Sequence, residues 1–137
     1  IIDEVRARLK IILAHGQNLN ESRNLSESQT FLLSIPARYA ASFLEMLDVL
    51  AQDYAAAAAT GEAEAVGRQA DILSAVLIHD LRSPLGTIIN TSLLLLDDEY
   101  EPDYPLLATD KQHVQAIHDA GIATLLLIEQ MIDARRL

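Results

Sequence analysis

The sequence predicts an all-α protein, and three observations carry that reading. Half of the 137 residues are apolar while only 4% are aromatic, and there is no Trp, so Leu, Ile and Ala do the packing. Apolar residues recur at spacings of three and four through most of the chain. No stretch alternates with a period of two over a useful length, so no strand is expected.

The first expected helix covers residues 2–15, on the stripe Ile2, Val5, Leu9, Ile12 and Leu13, with Gly16 as a plausible stop. Residues 16–28 are rich in Asn, Ser, Gln and Glu and read as a loop. Ser26 with Gln29 fits a capping box that opens a second helix over 26–60. Pro36 would kink that helix, or start a new one capped by Ser34. The stripe Ala40, Phe43, Leu47, Leu50 and Tyr54 follows, and Tyr39, Phe43 and Tyr54 are expected in the core. Thr60-Gly61 interrupts the alanine run 55–59 weakly, and Gly67 is a second soft point in a third helix over 62–97. Residues 97–108 hold two prolines and five acids and read as a solvated loop. Thr109 with Gln112 suggests a cap for the last helix, 109–137, whose stripe is Val114, Ile117, Gly121, Thr124/Leu125, Ile128 and Met131/Ile132.

The last two helices should form an antiparallel hairpin with an uncovered apolar seam. A second copy would cover it as a dimeric four-helix bundle; a bundle shared with residues 1–60 is the other solution. The expected organisation is therefore a helical segment over 1–60, signalling or sensor-linked, preceding a hairpin over 61–137.

Net charge is −10, which argues against nucleic acid and anionic membrane surfaces as partners. There are no cysteines, so disulfides and thiolate metal sites are excluded. No uninterrupted apolar run reaches the ~18–20 residues of a membrane span, and the Ile-Ile-Asp-Glu start carries no signal-peptide pattern. The missing start Met and the helical ending lead us to expect a piece of a longer protein. His113 and His118 lie at i, i+5, a poor spacing for metal ligands, so no metal site is expected and both read as surface residues. His15 reads as a helix C-terminal residue favoured by the dipole.

The chemically informative stretch is Ile78-His79-Asp80-Leu81-Arg82-Ser83-Pro84-Leu85. On a helical wheel, Leu73, Leu77, Leu81, Pro84, Leu85, Ile88, Ser92 and Leu95 share one face. His79 falls about 200° from Leu77, near Gly86 and Asn90 and flanked by Arg82 and Ser83. Pro84 offers no N–H to the carbonyl of residue 80, so a bend is expected one turn past His79, at a cost of roughly 3 kcal/mol in an ordinary helix interior. An exposed, neutral imidazole is a nucleophile near neutral pH. A neighbouring carboxylate can fix its tautomer and stabilise the imidazolium that develops, which suits phosphoryl transfer to nitrogen. Asp80 is adjacent, and the Ser83 hydroxyl lies one turn on.

This stretch resembles the H-box of sensor histidine kinases, and the helix ending in Leu126-Leu127-Ile128-Glu129-Gln130-Met131-Ile132-Asp133-Ala134-Arg135 is similar to the partner helix of that family's dimerisation and histidine phosphoacceptor hairpin. The resemblance covers about residues 65–137. It implies that His79 accepts a phosphoryl group from ATP and donates it to an aspartate of a response regulator, with Asp80 as acid–base partner. Asp80 and Ser83 match an acid-x-x-Thr or acid-x-x-Asn pair linked to phosphatase activity, with Ser as a departure. Arg82, Gly86 and Asn90 would meet the regulator, beside the last helix. The resemblance further implies a homodimer, a cytoplasmic location, and ATP with Mg2+ held by a catalytic domain of the same protein, whose Asn-rich and Gly-rich boxes this chain does not contain. A stand-alone histidine phosphotransfer protein of a phosphorelay, commonly marked by His-x-x-Lys-Gly, and a non-enzymatic helical signalling bundle are the alternative readings.

Overall fold

A computed structural model describes residues 2–136, with side chains as far as Ile132. It is all-α. Helix α1 spans Ile2–Asn20, α2 Glu27–Ala59, α3 Ala63–Ala75, α4 Arg82–Leu96 and α5 Ala108–Arg136, with a π-helical turn at Val76–Asp80 linking α3 to α4. Helix α3, the π-turn and α4 run on as one long rod, Ala63–Leu96; α1, α2, this rod and α5 each run antiparallel to the next, and α1 and α5 close the ring. The antiparallel pairings can be read from contacts along the helices: Arg6 to Asp48 and Gly16 to Ala37 for α1–α2, Arg82 to Glu129 and Gly121 to Ile89 for α4–α5, and His15 to His113 with Ser22, just past α1, to Asp110 for α1–α5. This is an up-down-up-down four-helix bundle completed by one chain. The apolar seam of the α4–α5 hairpin is therefore covered by α1 and α2, so a second copy is not needed to bury it. One core runs through both halves, with Val5, Leu9, Ile12, Leu33 and Leu47 packed among Leu77, Leu81, Leu85, Ile88, Ile117 and Ile128.

The expected stripes are the buried ones. Leu77, Leu81, Leu85, Ile88, Ser92 and Leu95 are buried, and Leu73 and Pro84 half-buried. On α5, Val114, Ile117, Gly121, Thr124 and Ile128 are buried. The two buried hydroxyls are satisfied within their own helices: Ser92 donates to Ile88 O at 2.8 Å and Thr124 to Ala120 O at 2.7 Å. The capping box at α2 is present, with Gln29 N–H donating to Ser26 Oγ at 3.1 Å and Ser26 N–H to Gln29 Oε1 at 2.9 Å.

Several expectations are corrected. Helix α1 does not stop at Gly16 but continues to Asn20. That glycine is a close-approach point: a Cβ there would sit 3.0 Å from Ala37 Cβ on α2. Pro36 neither breaks α2 nor starts a new helix with Ser34 as its cap; α2 runs unbroken, with Pro36 buried on its inner face. Tyr39 and Tyr54 are not core residues, being 38% and 37% exposed, while Phe43 is buried. Helix α5 begins at Ala108, so Thr109 lies inside its first turn rather than at the cap. His15 is not at a helix end, and His113 is not a surface residue: the two are part-buried, their Nδ1 atoms 2.8 Å apart, stitching α1 to α5. One helical turn away, Ser22 donates to the buried Asp110 carboxylate at 2.7 Å. The acidic loop is tethered as well as solvated. Ser26 Oγ donates to Glu101 at 2.9 Å, Gln29 Nε2 donates to Tyr104 O at 2.8 Å, and the Ser28 and Tyr100 hydroxyls meet at 2.7 Å.

The run Ala63–Leu96 is, by length and composition alone, apolar enough to cross a membrane. In this fold its apolar stripe packs against α2 and α5.

Candidate functional site

The site is built on the junction between α3 and α4. Leu81 N–H donates to Val76 O at 3.0 Å, an i to i+5 bond that defines the wide turn. The expected irregularity is thus present, but it lies upstream of Pro84 as a π-turn containing His79. Proline supplies no N–H for Asp80 O and its ring crowds that carbonyl, and the widened turn is where the ladder is already relaxed. Regular helix resumes immediately, with Leu85 N–H donating to Leu81 O at 3.0 Å. Across the turn, Leu77, Ile78 and Leu81 are buried while His79 and Asp80 face solvent.

His79, Asp80 and Ser83 are exposed on consecutive turns of one outer face. Among the described residues, no side-chain hydrogen bond holds any of the three, so Asp80 does not fix the imidazole tautomer in this state. Thr87 Oγ1 donates to Ser83 O at 3.4 Å, a weak back-bond one turn on. Arg82 is held away from His79: its guanidinium donates to Glu129 Oε1 on α5 at 2.6 Å, with both side chains well exposed. Glu129 is the partner that sequence reasoning missed. The signal that finds it is the antiparallel register of the hairpin, since Gly121 packs on Ile89 with a hypothetical Cβ 3.1 Å from Ile89 Cγ1, and two turns further on the same register meets Arg82. Gly86 has open space where a Cβ would be, and Asn90 is exposed. These two small or polar residues leave the surface clear beyond His79.

On the other flank of α4, a groove of about 440 Å³ is lined by Ile35, Arg38, Tyr39 and Ser42 of α2 and by Thr87. The arrangement offers an exposed imidazole with a carboxylate and a hydroxyl close by in sequence on the same outer face, and an arginine within a turn that is engaged by Glu129.

No family model matches the chain, and no solved structure matches it. Over 89 residues, 65% of its length, the chain is 35% identical to the circadian input-output histidine kinase CikA of Synechococcus elongatus. It spans about 10% of the length of that protein. The chain is thus similar to part of a histidine kinase.

Proposed function

We propose that this chain is the phosphoacceptor module of a two-component sensor histidine kinase and that His79 is the acceptor. The observation that carries the reading is the exposed His79 in a π-turn, on the face opposite a fully packed stripe and beside Asp80 and Ser83. A histidine whose only role was packing would turn inward; this one is kept outside by the burial of Leu77, Ile78 and Leu81 around it. The likeness to a histidine kinase supports the same reading.

In the forward step an imidazole nitrogen attacks the γ-phosphorus of ATP. The P–N bond forms as the bond to ADP breaks, and the ring gives up one proton. Asp80 receives that proton or stabilises the imidazolium. ATP and Mg2+ belong to a catalytic domain of the parent protein. In the second step a response-regulator aspartate takes the phosphoryl group. The P–N electron pair returns to the ring, which regains its proton. Ser83 contributes a hydroxyl for a phosphoryl oxygen or for a water, the latter giving phosphatase activity. Gly86 and Asn90 form the approach surface, with Arg82. Residues 1–60 act on His79 by shifting the bundle around the π-turn, because α1 and α2 form half of that bundle.

One observation favours a second reading. A bundle closed by one chain can work without a second copy, as a phosphotransfer protein of a phosphorelay would.

The test is incubation with ATP and the catalytic domain of a histidine kinase, comparing wild type with His79→Gln. An acid-labile, base-stable label on wild type alone is expected. Labelling only from a phosphorylated receiver domain, and never from the catalytic domain, would select the phosphotransfer reading. No label by either route, with both donors active on another substrate, would leave a non-enzymatic helical bundle.

A further inference from the structure

We infer that the docking surface for the phosphoryl-accepting protein extends onto α2, so that Arg38, Tyr39 and Met46 of the N-terminal hairpin help select the partner. This rests on the phosphoacceptor reading of His79.

The first argument is geometric. A specific protein–protein interface covers about 800 Å² on each partner, a patch about 30 Å across. Packed helices lie only about 8–10 Å apart. A partner seated squarely on His79 therefore contacts the helix on each side of α4 as well as α4 itself. On one side that helix is α5, which presents the Arg82–Glu129 pair. On the other it is α2. Its register against α3 and α4 is fixed at two points: Arg38, Tyr39 and Ser42 share a groove with Thr87, and Ala51 and Tyr54 share a crevice with Ala70, Leu73 and Ser74. Counting residues along the two antiparallel helices between those points brings Met46 to the level of His79.

The second argument is the chemistry of that edge. Tyr39 is 38% exposed, Met46 38% and Val49 58%, spread over three turns of α2. Tyr and Met are residue types that interface cores favour. Arg38 is exposed beside Tyr39 and makes no ion pair among the described residues. An acceptor that receives a phosphoryl group on a carboxylate presents an anionic face. A chain with a net charge of −10 repels such a face unless a cation stands at the point of approach. Arg38 on the α2 flank supplies it, whereas Arg82 on the other flank is already paired with Glu129.

The experiment uses the whole chain, labelled at histidine with phosphoramidate, so that no cognate kinase is required. Receiver domains are screened for one that takes the label from wild type and not from His79→Gln. Transfer rate is then followed against receiver concentration. Arg38→Glu and, separately, Met46→Glu should each raise the half-saturating concentration about tenfold, the loss typical of an interface anchor, while the rate at saturation stays unchanged. Lys10→Glu, the same charge change as Arg38→Glu but placed on an exposed position of α1, should leave the curve where it is. Two independent α2 variants guard against a folding defect in either one, and labelling of His79 itself should be equal in all. Unchanged half-saturation in both α2 variants overturns the inference while leaving the function standing. Transfer to no receiver from wild type overturns the function itself.

Discussion

The two hairpins are built with the same devices and behave differently. In each, the helices touch where a glycine allows close approach, Gly16 against Ala37 and Gly121 against Ile89. In each, an arginine crosses to an acid on the other helix, Arg6 to Asp48 at 3.1 Å and Arg82 to Glu129 at 2.6 Å. Each carries a proline inside its long helix. Around Pro36 the helix stays regular; before Pro84 it opens into a π-turn. A proline removes one ladder bond in both cases, so the proline alone does not dictate the π-turn. Pro36 is buried on the inner face of α2, next to the Gly16–Ala37 contact, and packing holds the turn on its inner side. Pro84 is only half-buried, and the turn before it has a solvent side, occupied by His79 and Asp80. The same local defect is therefore absorbed in one hairpin and displayed, at the candidate site, in the other.

The largest effect is expected from filling the close approach in the N-terminal hairpin. Gly16→Val places a Cβ 3.0 Å from Ala37 Cβ and adds two methyls; we expect a loss of about 2–3 kcal/mol, measured by urea unfolding. Gly86→Ala, where nothing lies within 4 Å, should instead gain a few tenths to about 1 kcal/mol from helix propensity. Equal effects at the two positions would contradict the packing described here.

Next come the prolines. Pro84→Ala should stabilise the chain by about 1–2 kcal/mol by returning an N–H to the carbonyl of Asp80. The π-turn should tighten, and hydrogen exchange should show a protected amide at position 84. Pro36→Ala should be nearly neutral, because the recovered bond is offset by lost burial of the ring. If the two substitutions stabilise equally, the contrast between the hairpins is not a matter of packing.

The ion pair near the site contributes less. Arg82 and Glu129 are both substantially exposed, so Arg82→Gln should cost no more than about 1 kcal/mol, and less in high salt. A change well above that would mean the pair is more shielded than its exposure indicates.

The smallest effect belongs to the stitch between the hairpins. Burial, and then the neighbouring His113, hold His15 below the ordinary imidazole pKa. The folded state thus binds fewer protons here than the unfolded chain. This part of the stability is complete above the unfolded value of about 6.5 and is lost as pH falls below it. The nitrogen–nitrogen contact also needs one proton between two rings, and charging both breaks it. The melting temperature should therefore fall between pH 7 and pH 5, and fall less in His15→Gln. An identical pH profile in the variant would remove the pair from the account of how α1 is held to α5.

Much of this was legible in the residues themselves. The wheel that set His79 opposite Leu77, Leu81 and Leu85 is the burial pattern observed, because a 3.6-residue period leaves little choice once the stripe is known. The Ser26–Gln29 box was readable because both of its bonds are local. Glu129 was not readable as the partner of Arg82, nor His113 as the partner of His15, because those pairings depend on the register between helices distant in sequence. Gly16 misled for a similar reason. A glycine that ends a helix and a glycine that lets two helices touch look alike until the neighbouring helix is in place.

The helices, their inward faces and the exposure of His79 follow from local periodicity and propensity alone. Tertiary structure decided what covers the seam of the second hairpin. Apolar stripes state how much surface must be buried but not against which partner. Here α1 and α2 of the same chain bury it, and that choice sets α2 along the flank of the rod that carries His79.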